Sequence, residues 1–264
     1  MTTLLKLGGS LITDKRGEKA YRQDVMRRIA HEVKRANDSF ATRLVIGHGS
    51  GSFGHVPASK YGTISGVHSD EEWRGFAEVA RVASELNELV TAELWNAGLS
   101  AMRMQPSASI IAHDGVPVQM DIAVISHALD HGLIPVVHGD VAFDEVRGGT
   151  IVSTESLFTY LADRLAVTSI ILAGEVPGVL DDVGQVIKRI TPGIAGGVAH
   201  LLGGSTGTDV TGGMLTKVTD MLRLVTQYPS LRIQIVNGLE TDAIFRALVG
   251  NYDGGTVIVA DSGA

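Results

Sequence analysis

The chain of 264 residues contains no cysteine, which removes a disulfide framework, a cysteine-ligated zinc and thiol catalysis in one step. It has no run of 18 consecutive apolar residues and opens directly on a strand-like segment, Thr3-Leu4-Leu5-Lys6-Leu7, so the expectation is a cytoplasmic protein with no membrane association. Positive charge is in deficit: 22 Lys and Arg against 29 Asp and Glu leave a formal charge of −7, and the cations are scattered. A nucleic-acid partner, which calls for a concentrated basic stripe, is excluded on that ground. Proline is scarce, 7 residues, and no Pro/Ser-rich linker divides the chain. The length is sufficient to bury a core without metal or disulfide staples.

What is present is an alternation of short apolar runs with longer amphipathic ones. Thr3–Leu7, Arg43–Gly47, Ala101–Met104, Leu133–His138, Ser169–Ala173, Arg232–Val236 and Thr256–Ala260 read as strands, several of them apolar on both faces as in a covered parallel sheet. Residues 22–36, 71–97, 121–131, 155–166, 213–227 and 241–250 read as helices. The pattern predicts an α/β protein, a three-layer α/β/α sandwich with a mainly parallel central sheet. In the longest helix Phe76, Ala80, Ala83, Asn87, Val90 and Leu94 share one face. That face reads first as core, and its N-terminal part, with Phe76, Val79 and Ala83, offers an apolar pocket for a ligand tail.

Glycine is abundant, 32 residues, and clusters at turns. The first strand ends in Lys6-Leu7-Gly8-Gly9-Ser10, followed by Lys15; the two glycines bring bare amides against an anion and the lysines add charge, although two glycines alone equally describe a plain turn. The second strand runs into His48-Gly49-Ser50-Gly51-Ser52-Phe53-Gly54-His55, a loop in which several amides and the His55 ring can meet a tetrahedral anion, whereas His48, nearer the strand, reads as structural. The third cluster, Asp209 to Lys217 with Gly212 and Gly213, combines a capped helix start with a lysine one turn in. None matches G-x-x-x-x-G-K-[ST] or the dinucleotide fingerprint, so a phosphate ligand here needs a different cradle. Three such loops at strand ends and helix starts, where open α/β sheets place their ligand crevices, weigh more together than any one alone.

On these residues, together with Pro135-Val136-Val137-His138-Gly139-Asp140-Val141, the sequence resembles the amino-acid kinase superfamily, and within it the isopentenyl phosphate kinases, over nearly its whole length. The resemblance implies ATP-dependent phosphorylation of isopentenyl phosphate to the diphosphate, by a homodimer with an acceptor-binding lobe at residues 1–155 and a nucleotide-binding lobe at 156–264. It assigns Lys6, Gly8, Gly9, Ser10, Gly51, Gly212, Gly213 and Lys217 to ATP. Ser50, Gly51, Gly54, His55 and Thr154 go to the acceptor. Lys6, Lys15, His55 and Lys217 form the catalytic set. Two positions depart from the family pattern. Glu155, in Ser153-Thr154-Glu155, stands where an Asp usually orients the lysines, and Glu175 stands at the nucleotide-side acidic turn.

Phosphoryl transfer asks the protein mainly for positioning and charge stabilisation. A phosphomonoester acceptor is largely dianionic at neutral pH, its second pKa being about 6, so no catalytic base is required and His55 serves as a hydrogen-bond donor. Mg²⁺ is expected on the ATP phosphates, held mostly by substrate and water, with no dedicated metal cage. Alternatives at this stage are a fosfomycin-type phosphonate kinase and a non-catalytic nucleotide-binding sensor or storage protein, the latter resting on the Glu155 and Glu175 departures.

Overall fold

Leu4, Leu5 and Leu7 are fully buried although they alternate faces along one strand, so that strand is covered on both sides. The computed structural model describes residues 2–14, 16–40, 43–194 and 210–261. The first half of the chain runs β1 (Thr2–Leu7), α1 (Gly9–Ile12), α2 (Gln23–Ser39), β2 (Arg43–His48), α3 (Gly51–Tyr61), α4 (Asp70–Asn96), β3 (Ala101–Arg103), β4 (Ile111–His113), β5 (Val116–Gln119), α5 (Ile122–Asp130) and β6 (Ile134–His138). It continues with β7 (Asp140–Asp144), β8 (Gly148–Val152), α6 (Thr154–Arg164), β9 (Val167–Gly174), β10 (Arg189–Ile190), α7 (Val210–Gln227), β11 (Arg232–Asn237), α8 (Ala243–Leu248) and β12 (Thr256–Ile258).

Eight strands form the central sheet in the order β10-β12-β11-β9-β1-β2-β6-β3. All neighbours are parallel except β11 and β12. Its two faces carry separate cores. Leu4, Val45, Ile170 and Ile233 pack with Ile125 of α5, Leu157 and Phe158 of α6 and Val218 of α7. Leu5, Ile46, Ile171 and Val236 pack with Ile29 of α2, Leu86 of α4 and Ile244 of α8. The alternation of one strand's side chains between two helical layers is the three-layer α/β/α sandwich, mainly parallel, that the sequence predicts. The sheet runs unbroken through both predicted lobes, with β1 paired to β2 on one side and to β9 on the other.

A second sheet, ordered β5-β4-β7-β8, lies over the N-terminal part of α4. None of its strands is among the sequence-predicted ones. They are short, 3 to 5 residues, and carry Gly, Asp and Pro, which blunt the period-two pattern. The helix α4 starts one residue before its predicted limit because Ser69 and Glu72 form a reciprocal capping box, with Asp70 and Glu71 favouring the helix dipole in the first turn.

Candidate active site

The parallel strands β1, β2, β6 and β9 end on the same edge of the sheet, and the glycine loops leave from there. The first two loops are pressed together backbone to backbone. A Cβ on Gly9 would lie 2.6 Å from the Gly51 amide nitrogen and 2.7 Å from its Cα, closer than any side chain allows. Gly51 has a φ of +49°, a left-handed conformation that costs other residues strain. The amide of Gly8 donates to Ala173 O of β9 (2.8 Å), anchoring the first loop to the other half of the sheet.

Residues 51–61 form helix α3, so His55 stands at the start of its second turn and not at a loop tip, a correction to the sequence reading. Gly51, Ser52 and Gly54 have low helix propensity and hide the helix; its packing against α4 supplies what propensity lacks. Ser50 precedes the helix without a side-chain cap, and His55 is exposed. Of its leading amides Ser52 N donates to Thr13 Oγ1 (2.9 Å), and Phe53 N and Gly54 N donate to Ser50 O (3.1 and 3.3 Å), so what this start offers an anion is the positive end of the helix dipole.

On the opposite side of the loops stands a triad of charges. Lys6, buried in β1, donates to the Glu155 carboxylate at the start of α6. The same oxygen, Oε1, lies 3.5 Å from Lys217 Nζ in α7. Ser153 caps α6 by accepting from Ser156 N (3.1 Å), which fixes the helix start that carries Glu155. Burial pushes the Glu155 carboxyl up, but the charges of Lys6 and Lys217 outweigh it and leave the group below the usual carboxylate range. Burial also holds the Lys6 ammonium below the usual lysine range, with Glu155 opposing and Lys217 adding to the effect. The longer side chain at position 155 thus reaches both lysines.

Thr154 is buried, and its hydroxyl donates to His48 O (2.7 Å), so it faces the second loop's strand and acts on that loop. Glu175 follows β9 and accepts from Arg22 (2.7 Å). Gly212 and Gly213 lie in the first turn of α7. Ser10 lies in α1 and is half-buried. Lys15 and Asp209 fall outside the described residues. Phe76 and Val79 are buried beneath the second sheet. There Phe76 meets Trp73 and Phe143 at ring-centroid distances of 5.2 and 5.3 Å. Ala83 is buried one turn further along α4. Among the described residues no group of three or more His, Asp or Glu side chains is placed to hold a metal.

Three contributors were not anticipated. Asn87 donates to His48 Nε2 (3.0 Å), and His48 Nδ1–H donates to Gly49 O (3.1 Å), so His48 is the neutral Nδ1–H tautomer. Burial, with the neighbouring His138 adding to it, pushes His48 down to about 3. Arg22 meets Glu175, and Thr13 joins the two glycine loops. An Asn inside an apolar helical face is the one sequence signal that pointed to any of these.

A sequence profile of the amino acid kinase family matches residues 1–237. The chain is 34% identical to the isopentenyl phosphate kinase of Methanocaldococcus jannaschii, over 96% of this chain and 97% of that one. It is 36% identical to that of Methanothermobacter thermautotrophicus, over 97% and 98%. A crystal structure of isopentenyl phosphate kinase superposes with a TM-score of 0.82 at 33% identity, covering 98% of this chain and all of the other. The chain belongs to the amino acid kinase family. Within it, the two archaeal isopentenyl phosphate kinases match it over nearly the whole of both chains.

Proposed function

We propose that this protein transfers the terminal phosphoryl group of ATP to the phosphate of isopentenyl phosphate, giving isopentenyl diphosphate and ADP. The observation that carries the reading is the close apposition of two glycine loops between a Lys6–Glu155–Lys217 triad and the start of α3 with Ser50 and His55. A donor phosphate on one loop and an acceptor phosphate on the other would meet at that contact. Lys6, Gly8, Gly9 and Ser10, with Gly212, Gly213 and Lys217 from α7, receive the ATP phosphates. Gly51, Gly54, Ser50 and His55 receive the acceptor.

The acceptor oxygen attacks the γ-phosphorus, the bond from that phosphorus to the β,γ-bridging oxygen breaks, and ADP departs. The attacking phosphate is already ionised, so no proton needs removal. Lys6 and Lys217 offset charge on the moving group, and Glu155 fixes both ammonium groups in place. Mg²⁺ fits as a partner of the ATP phosphates: the carboxylate nearest the two lysines is committed to them, leaving substrate and water as its main ligands. The isopentenyl tail is assigned to the side of the site that holds Phe76, Val79 and Ala83, whose side chains are themselves buried in the core. The lobes divide near residue 155, where Glu155 meets Lys6.

A homodimer is part of the proposal. The sheet ends at β3, beside which Trp95 and Met102 are exposed, and a second copy covering them accounts for two large apolar side chains in solvent. Native mass spectrometry reads this directly, and a monomer insensitive to Trp95→Glu contradicts it. The function is tested with an acceptor panel of isopentenyl phosphate, fosfomycin and uridylate with ATP, read by product mass. Turnover confined to fosfomycin would replace the reading with a phosphonate kinase. ATP retention without ADP formation would leave a nucleotide-binding sensor.

A further inference from the structure

Thr13 is fully buried between the two glycine loops. Its hydroxyl donates to Gly9 O at 2.7 Å and accepts from Ser52 N at 2.9 Å, so one oxygen uses its donor on one side of the contact and a lone pair on the other. Ser52 is tied twice more: its hydroxyl accepts from Ala20 N (3.1 Å), and its carbonyl accepts from Lys19 N (3.4 Å). Thr13 pairs through its backbone with Tyr21, so the segment closing behind the first loop is fastened to the first turn of α3 at three points.

We propose that Thr13 is a positioning residue that sets the separation between the donor cradle at Gly8–Ser10 and the acceptor grip at Ser50–His55. The inference rests on the phosphoryl-transfer reading above. One loop carries a phosphate donor and the other a phosphate acceptor, and the bond to be made spans the gap between them. An interaction that holds one loop against the other therefore acts on the approach of the reacting atoms more than on the hold over either substrate alone. Reaction rates are steep in that approach, and a misplacement of about 1 Å costs on the order of 10²-fold. A hydroxyl serves where a methyl does not, because the Ser52 amide would lose its partner in a buried place, while Gly9 O would keep only the Thr13 backbone amide (2.9 Å). The β-branch of Thr13 contributes a second constraint: its Cγ2 lies 2.9 Å from where a Gly51 Cβ would be, which holds the second loop to glycine at that point.

The test compares Thr13→Ser, Thr13→Val and Thr13→Ala in the full chain with isopentenyl phosphate and ATP. Thermal unfolding and amide hydrogen exchange at Ser52 are measured alongside. Thr13→Val is expected to lower kcat by about 10- to 100-fold, while KM for each substrate changes less than about threefold. Thr13→Ser is expected to stay within about threefold of the parent in both. Ser52 exchange is expected to rise in Val and not in Ser. If Thr13→Val does not fold, Thr13→Ala against Thr13→Ser is judged by the same split. Equal turnover by Ser, Val and Ala overturns the proposal, as does a loss confined to KM. An unmodified protein that transfers to no phosphate acceptor overturns the functional reading itself, which the Ser52 exchange pattern by itself would not.

Discussion

Glu155 Oε1 stands 3.5 Å from Lys217 Nζ while it also accepts from Lys6, so one carboxylate ties strand β1 to helix α7 across the start of α6. The pairing makes a negative charge the organiser of a cationic site. Removing it leaves two ammonium groups facing each other, one of them buried.

Glu155→Gln keeps the shape and removes the charge. Turnover is expected to fall by roughly 10²-fold, with Glu155→Asp intermediate because its carboxylate is one methylene shorter. Steady-state kinetics on the three proteins checks the order; a Gln variant as active as the parent would show that the carboxylate has no part in placing the lysines.

The same substitution has a sign in pH. Lys6 must be protonated to offset charge, and burial already holds its pKa below 10.5 against the raising influence of Glu155. Activity is therefore expected to fall with rising pH before the ordinary lysine range. The alkaline limb moves to still lower pH in Glu155→Gln, because the raising charge is gone. A limb that moves upward contradicts the assignment.

The role proposed for His55 is donation. His55→Ala is expected to lower kcat/KM for isopentenyl phosphate by about 10²-fold, and His55→Gln, which still donates, to retain more. Equal, near-parent turnover by both would take His55 out of the site.

Acid stability follows from the buried histidines. His48 and His138 stack at 5.6 Å, and burial pushes them to about 3 and about 4 from 6.5. In the unfolded chain both bind protons as pH falls below 6.5, while in the fold neither does. The unfolded state then holds more protons, and stability is lost with falling pH at about 1.4 kcal/mol per unit for each ring. Urea unfolding between pH 6.5 and 4.5 measures the slope, and His138→Leu is expected to halve it. An unchanged slope would mean that His138 titrates normally.

Much of this was legible from residues alone, for identifiable reasons. Strands such as β1 and β9 announce themselves because burial on both faces demands an unbroken apolar run. The glycine loops stand out because tight turns and close approach demand glycine, as at Gly51 and Gly9. Helix α3 was hidden by the same glycines, since the residues that let the loops touch are poor helix formers. The Gly148–Val152 strand and its neighbours were hidden because strands of five residues or fewer that carry Gly, Asp and Pro show little pattern. Thr13 was invisible for a different reason: its importance lies in two partners, Gly9 O and Ser52 N, and the second is 39 residues away.

The measurement that bears most directly on the central claim is the fate of the γ-phosphate. ATP labelled at that position, incubated with isopentenyl phosphate and this protein, is expected to give ADP and a labelled diphosphate of the isopentenyl group in equal amounts. Label released only as inorganic phosphate, or retained in ATP, would contradict the account.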